Sequence, residues 1–308
     1  MADIPVYLIA GFLDGGKTDF INGILEDGFA REDKTLLICC EEGDTEYDPE
    51  LLKKTNTILV NVESMDEISP ERLTELELLH NPERVLMEWN GMWNQDELRL
   101  PKDWEVYQQI TIIDGSTFDL YVKNMKPLLG AMVRNSELII CNRCDDVEDL
   151  ECYRRTLLAM NNQAEIVFED AEGEISEISE ADLPYDLSAD VAVIAPEDFG
   201  IWYIDCMDKP DRYRGKVVEF TGMVMKSNKF PKNYFVPGRM AMTCCEADMT
   251  FLGFVCKARE ARNLENRQWV KVRAKIEYEE WQDYGGVGPV LYAESVEPAE
   301  PIKDIVQF

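Results

Sequence analysis

Over the first 170 positions, short runs of Val, Ile and Leu alternate with longer stretches in which apolar residues return every three or four positions. The runs at 5–10, 35–40, 57–62, 84–88, 109–114, 137–141 and 164–168 are close to continuously apolar, the pattern of strands buried on both faces of a parallel sheet. Between them, 116–133 and 147–160 carry helical spacing. Segment 69–79 opens with Ser69, Pro70 and Glu71, an order that caps and starts a helix. Alternation of this kind predicts an α/β fold with a doubly wound, mostly parallel sheet.

The period changes near position 215. Segments 217–226, 239–245, 251–257, 269–278 and 289–296 read as strands, with a helical stretch at 258–265 between the third and the fourth. That order is the order of an OB-type barrel, so a smaller, all-β, OB-like barrel is expected to follow the α/β unit. Between the two, 169–182 is acidic and free of aromatics and reads as a solvated connector, and 198–213 reads as a short helix and turn. The expected domains are residues 1–187 and 188–308.

Composition sharpens the division. The 308 residues are 45% apolar, enough for two packed cores, and 31 Lys and Arg face 61 Asp and Glu for a net charge of −30. Residues 1–187 carry 15 basic and 42 acidic side chains (net −27), and residues 188–308 carry 16 and 19 (net −3). Such a balance opposes a chain whose main task is to hold nucleic acid. No run approaches the roughly 18–20 apolar residues of a membrane span. The first residues lack the flank and apolar run of a signal peptide, and the nine cysteines show no disulfide spacing, so a cytoplasmic protein with reduced thiols is expected.

Candidate chemistry begins directly after the first strand. Gly11-Phe12-Leu13-Asp14-Gly15-Gly16-Lys17-Thr18 is a complete G-x4-G-K-[ST], placed between a strand and a helix expected at 19–27. Gly11, Gly15 and Gly16 let backbone N–H groups turn inward around phosphate oxygens at a helix N-terminus, which Asp19 opens. Lys17 would reach the β- and γ-phosphates and the Thr18 hydroxyl would ligate Mg²⁺. Asp14, inside the loop, would repel phosphate unless its carboxylate points outward. The strand at 84–88 ends in Glu88-Trp89-Asn90-Gly91: Glu88 sits where a Mg²⁺-water ligand is needed, or is simply a solvated strand end, and Gly91 would let the backbone approach the γ-phosphate. After 137–141 comes Asn142-Arg143-Cys144-Asp145. An Asp here accepts from the N1 and N2 donors of guanine, a pair adenine lacks, while Arg143 covers the base. A helix cap by Asp145 or Asp146 is the alternative, and the two are compatible.

The series GFLDGGKT, CCEEGDTEYD, VLMEWNG, TIIDGSTF and CNRCD, spanning about 4–170, resembles in order and spacing the CobW-like branch of the CobW/UreG/HypB metallochaperone GTPases. The resemblance implies a P-loop NTPase fold with GTP and Mg²⁺ as cofactors. It places Glu41, Gly43 and Asp44 in the first switch segment, near Mg²⁺ and the γ-phosphate. It also departs from the family: where a C-x-C-C metal motif is usual, residues 61–67 hold no cysteine, and the only histidine is His80. The soft-metal candidates are therefore Cys244 and Cys245, with Cys256 as a third ligand, and second Cys39 and Cys40, with Zn²⁺ the first guess. Small apolar packing is the alternative, and the reading for Cys141, Cys152 and Cys206.

Residues 198–308, through FPKNYFVPGR and TCCEAD, resemble the soluble C-terminal domain of bacterial YcgQ-like permease-associated proteins, which implies a membrane transport companion. Lys226, Lys229, Phe230, Lys232, Tyr234, Phe235 and Arg239 form a basic, aromatic stretch. It reads as a docking surface, with a single-stranded nucleic acid site or a plain loop as alternatives, the former opposed by the net charge. The whole is expected to be a Mg²⁺-dependent GTPase whose nucleotide state moves switch segments against the barrel or a metal-requiring client. The rivals are a nucleotide-binding regulatory or scaffolding module with little hydrolysis, and an ATP-using enzyme in which 142–145 only caps a helix.

Overall fold

Strands apolar on both faces need cover on both, and the first unit supplies it. The computed structural model describes residues 4–29, 33–175, 183–227, 230–242 and 249–307. The chain divides into two units, Met1–Ser179 and Glu180–Phe308.

In the first, β1 (Ile4–Ala10), α1 (Lys17–Glu26), β2 (Thr35–Cys39), α2 (Pro49–Lys54), β3 (Thr57–Asn61), α3 (Pro70–His80) and β4 (Arg84–Glu88) precede β5 (Trp104–Asp114), α4 (Phe118–Asn124), α5 (Lys126–Val133), β6 (Leu138–Asn142), α6 (Leu150–Met160), β7 (Glu165–Asp170) and β8 (Gly173–Glu174). The sheet order is β3-β2-β4-β1-β5-β6-β7-β8, parallel except for the antiparallel return β8, which forms the start of the expected connector. Alternation along β2 divides the core. Leu36 and Ile38 join Val85, Met87, Leu73 and Leu76 on one face, and Leu37 joins Ile9, Ile21, Leu25 and Leu86 on the other.

Helix ends follow local chemistry. Ser69 accepts from Arg72 N with Pro70 in the first turn of α3, as its sequence signals. The helix expected at 116–133 is broken at Met125, because Pro127 lacks an N–H and its ring would collide with the carbonyl four residues back. The chain restarts as α5 with Pro127 in the first turn. Helix α6 starts only at Leu150, where Asp149 accepts from Cys152 N.

The second unit holds β9 (Ala192–Val193), α7 (Phe199–Asp208), α8 (Pro210–Tyr213), β10 (Val217–Met225), β11 (Tyr234–Met242), β12 (Met249–Gly253), β13 (Val255–Lys257), β14 (Trp269–Trp281), β15 (Gly286–Pro298) and β16 (Val306–Gln307). The order β12-β11-β13-β15-β14-β10, closed by pairing of β10 with β11, makes a five-stranded, OB-like barrel in which β12 and β13 together are the third strand. Its parallel contact, β13 with β15, is the mark of that topology. The backbones of β11 and β12 approach so closely that a Cβ at Gly238 would lie 2.1 Å from Leu252 O. The helix expected at 258–265 is only a 3₁₀ turn, Glu260–Arg262, and Lys226 Nζ donates to Ala261 O and Leu264 O beside it, both at 2.8 Å.

The basic, aromatic stretch is not one exposed patch. Strand alternation turns Phe235 into the core, and Arg239, 2% exposed, lies inward over the Phe199 ring, donating to Pro196 O and to Asp304 O (2.6 Å). Lys226 is held by its carbonyls, and Lys229 lies outside the described residues. Among the described residues no helix is long and apolar enough to cross a membrane.

Trp202 of α7 has no exposed surface and packs against Phe199, Phe220 and Phe254. Trp202→Ala is expected to lower the unfolding free energy of the second unit by about 3–5 kcal/mol, read from urea denaturation.

Candidate nucleotide site

The loop between β1 and α1 lies at the carboxyl ends of the central strands, and three glycines let it. Gly11 has φ +146°, and a Cβ there would meet Ile112 O at 2.3 Å. Gly16 has φ +99°, and its Cβ would lie 2.5 Å from Asn142 Nδ2. At the end of β4, a Cβ on Gly91 would lie 2.4 Å from Gly11 O. Gly15 closes the turn, donating to Phe12 O at 3.1 Å. Asp14 takes φ +57°, a conformation Asp tolerates better than most residues, and its Oδ1 accepts from Asp44 N at 3.2 Å. The carboxylate thus addresses the 43–44 backbone rather than turning into the loop.

Lys17 and Glu88 are the buried charges of the cleft. Lys17 Nζ donates to Phe12 O (2.9 Å) and pairs with Glu41 Oε2 at 2.5 Å, the two side chains 2% and 8% exposed. Parallel register sets Glu88 beside Ile9 of β1 and Cys39 of β2. Its Oε1 accepts from Thr18 Oγ1 at 2.9 Å, and its Oε2 accepts from Tyr47 OH. Asp19 and Asp44 line the same cleft as Lys17, Thr18, Glu41, Glu88 and Arg143. Sequence reasoning missed Tyr47, whose one visible signal was an aromatic inside the acidic 41–48 segment.

The end of β6 is tied to the loop. Asn142 Nδ2 donates to Gly15 O at 2.8 Å, while its Oδ1 is buried without a partner. Arg143 donates to Asp14 O (2.8 Å) and pairs with Asp114 Oδ2 (2.6 Å), so its head grips the loop instead of lying free. Asp145 is exposed, and its Oδ1 accepts from Ala171 N at 3.0 Å. The helix-cap alternative for Asp145 or Asp146 is corrected: Asp149 caps α6, because the chain spends four more residues in the loop before turning helical.

Cys39 and Cys40 do not converge. Adjacent positions at the end of a strand face opposite ways. Cys39 Sγ lies 3.4 Å from Glu88 Oε2, whereas Cys40 is buried with Val6, Leu8 and Trp89. Burial, reinforced by Glu88, pushes the Cys39 thiol up to about 12, and burial pushes Cys40 up as well. Burial also raises Glu41 against the opposing pull of Lys17, and raises Tyr47 together with the Glu88 charge. Cys256 is fully buried in the barrel core, and Cys244 and Cys245 lie outside the described residues. Among the described residues no three His, Cys, Asp or Glu side chains are grouped to hold a metal ion.

A family model for the CobW/HypB/UreG nucleotide-binding domain matches residues 5–168, over half of the chain. The chain belongs to this family. A second model, the DUF1980 C-terminal domain, matches residues 173–306. No curated protein matches significantly. Among solved structures the chain is similar to the Zn(II)-bound YjiA GTPase from E. coli (15% identity, 85% of this chain and 98% of that one, TM-score 0.44). It is also similar to the hydrogenase maturation factor HypB from Archaeoglobus fulgidus (17%, 55% and 82%, TM-score 0.41) and to HypB from Helicobacter pylori in complex with nickel (14%, 55% and 80%, TM-score 0.38). At these scores the likenesses carry no weight beside the family match.

For a CobW-family nucleotide domain the close glycine contacts are decisive. Gly91→Ala should leave the protein folded by circular dichroism but weaken nucleotide binding at least about tenfold, since the atoms it meets are backbone and cannot swing away. Alkylation at pH 8, mapped by mass spectrometry, should label exposed Cys152 and spare Cys39 and Cys40. Their raised pKa values keep both thiols protonated until the pH climbs far above neutral, and denaturant should abolish the protection.

Proposed function

We propose that this chain is a Mg²⁺-dependent GTP-binding protein and GTPase of the CobW-like metallochaperone type. Its nucleotide state would serve transition-metal homeostasis, zinc first, or a transport partner. The observation that carries the reading is the contact of Thr18 Oγ1 with Glu88 Oε1 at 2.9 Å, beside the Lys17 ammonium and above the glycine loop. A hydroxyl and a carboxylate are the hard oxygen donors Mg²⁺ takes, with Thr18 as direct ligand and Glu88 acting through water. Glycine at 11, 16 and 91 lets the loop close onto the strand ends, where a Cβ would collide with Ile112 O, Asn142 Nδ2 and Gly11 O, and a tight glycine loop before a helix is the form that takes a polyphosphate. The unpartnered Asn142 Oδ1 and the exposed Asp145 carboxylate support a base reader after β6.

Bound Mg²⁺ would neutralise charge on the phosphate oxygens. Lys17 would offset charge growing between the β- and γ-phosphates, and the loop amides would hold the γ-phosphate for in-line attack by water. Asp14 lines the same cleft, and its bond from Asp44 N offsets part of its charge there. Turnover without a partner is expected to be slow. The family's metallochaperone role brings in a metal cargo. Cys39 and Cys40 face apart, so Cys244 and Cys245 are the thiols offered for it.

A scaffolding module with little hydrolysis is the second reading, favoured by the pairing of Lys17 with Glu41. Titration should give GTP and GDP binding, with ATP at least about a hundredfold weaker, because a carboxylate built for the guanine N1 and N2 donors is left unpaired by adenine. Equal affinities would remove the guanine assignment. In single-turnover hydrolysis Lys17→Ala should be slower by about 100-fold or more. A wild type no faster than this variant would leave the scaffold. Zinc uptake unchanged in a Cys244→Ser/Cys245→Ser variant would discard that site.

A further inference from the structure

One segment occupies both charged ends of the cleft. Residues 41–47 are anchored at the buried charges by Glu41 on Lys17 and by Tyr47 OH on Glu88, while the five residues between are exposed and held by Asp44 N on Asp14 Oδ1 (3.2 Å) and by Asn22 Nδ2 on Glu46 O (3.4 Å). The segment's ends are fixed outside these anchors: Cys40 N donates to Glu88 O at 2.9 Å, and Asp48 caps α2 by accepting from Glu50 N at 2.9 Å. In chemical character Glu41 stands in for a phosphate oxygen on the ammonium, and the Tyr47 hydroxyl for a metal-bound water on the carboxylate. Neither replacement is passive. A phosphate approaching Lys17 meets the Glu41 carboxylate held 2.5 Å from the ammonium, and a donor approaching Glu88 Oε2 meets the Tyr47 hydroxyl, with Cys39 Sγ at 3.4 Å from the same oxygen.

We infer that residues 41–47 form a two-point latch that makes the site selective for the metal-chelated form of a nucleoside triphosphate. The inference rests on the reading of the cleft as a nucleotide site. A free polyphosphate relieves only the Lys17 anchor, and a free divalent cation only the Glu88 anchor. In either case the other anchor still holds the segment down. A chelate presents anion and cation together and releases both buried anchors at once, leaving the exposed middle held only by the solvent-exposed contacts of Asp44 N with Asp14 and Glu46 O with Asn22. Each half of the ligand thus lowers the cost of admitting the other, which is positive coupling carried by a single loop.

The experiment measures binding of a fluorescent GTP analogue, in EDTA and in excess Mg²⁺, to wild type, Glu41→Gln and Tyr47→Phe, with folding checked by circular dichroism. Both changes are close in shape, and each removes one anchor. Either variant should bind the metal-free analogue about tenfold or more tighter than wild type, within the usual range of coupling between sites. The ratio of Mg²⁺ to EDTA affinity should shrink accordingly, and hydrogen exchange across 41–47 should rise in the free variants. Wild type that binds in Mg²⁺ while neither variant gains affinity in EDTA would overturn the latch and leave the nucleotide reading standing. No binding by any of the three in Mg²⁺ would overturn both.

Discussion

The geometry of this protein depends on backbone approaching backbone without a side chain between. The ends of β1, β4, β5 and β6 converge on one loop, and a Cβ at Gly11 or Gly16 of that loop, or at Gly91 after β4, would lie less than 2.6 Å from a neighbouring atom. With that convergence come the stacking of Phe12 on Tyr121 at 3.9 Å and the contact of Asn142, from a distant strand, with Gly15 O.

Charge is the second constraint. A unit with a large acidic excess gathers carboxylates, Glu88 buried, Glu41 half-buried and Asp14 exposed, at the place where an anionic ligand is expected, which Coulomb repulsion alone would oppose. The structure resolves the conflict by pairing. Glu41 lies on Lys17, Glu88 is surrounded by the hydroxyls of Thr18 and Tyr47, and Asp14 is satisfied by a backbone amide. Each of the three carboxylates thus has a partner inside the protein.

Much of the α/β unit is legible because continuous Val, Ile and Leu runs can be buried only between two layers of helices, and β2, β3 and β4 fall within a residue or so of their patterned segments. The misses have particular causes. Pro127 is visible in the chain, but only the need of α5 to keep packing Leu129, Met132 and Val133 forces a restart instead of a stop. Of the helix suggested at 258–265 only a 3₁₀ turn forms, with two of the segment's carbonyls, Ala261 O and Leu264 O, bound by Lys226 from a distant part of the sequence. Arg239 reads as a surface cation until the strand alternation of β11 buries it.

By itself the sequence determined the class of both units and the identity of the phosphate loop, because apolar period and glycine spacing are local properties that a one-dimensional pattern records. Tertiary structure alone decided where the charges meet. Tyr47 reaches Glu88 across 41 positions, Arg143 reaches Asp14 across 129, and Cys39 parts from Cys40 on opposite faces of one sheet. Strand register and side-chain direction set such meetings, and neither is written in the order of residues until the sheet has formed.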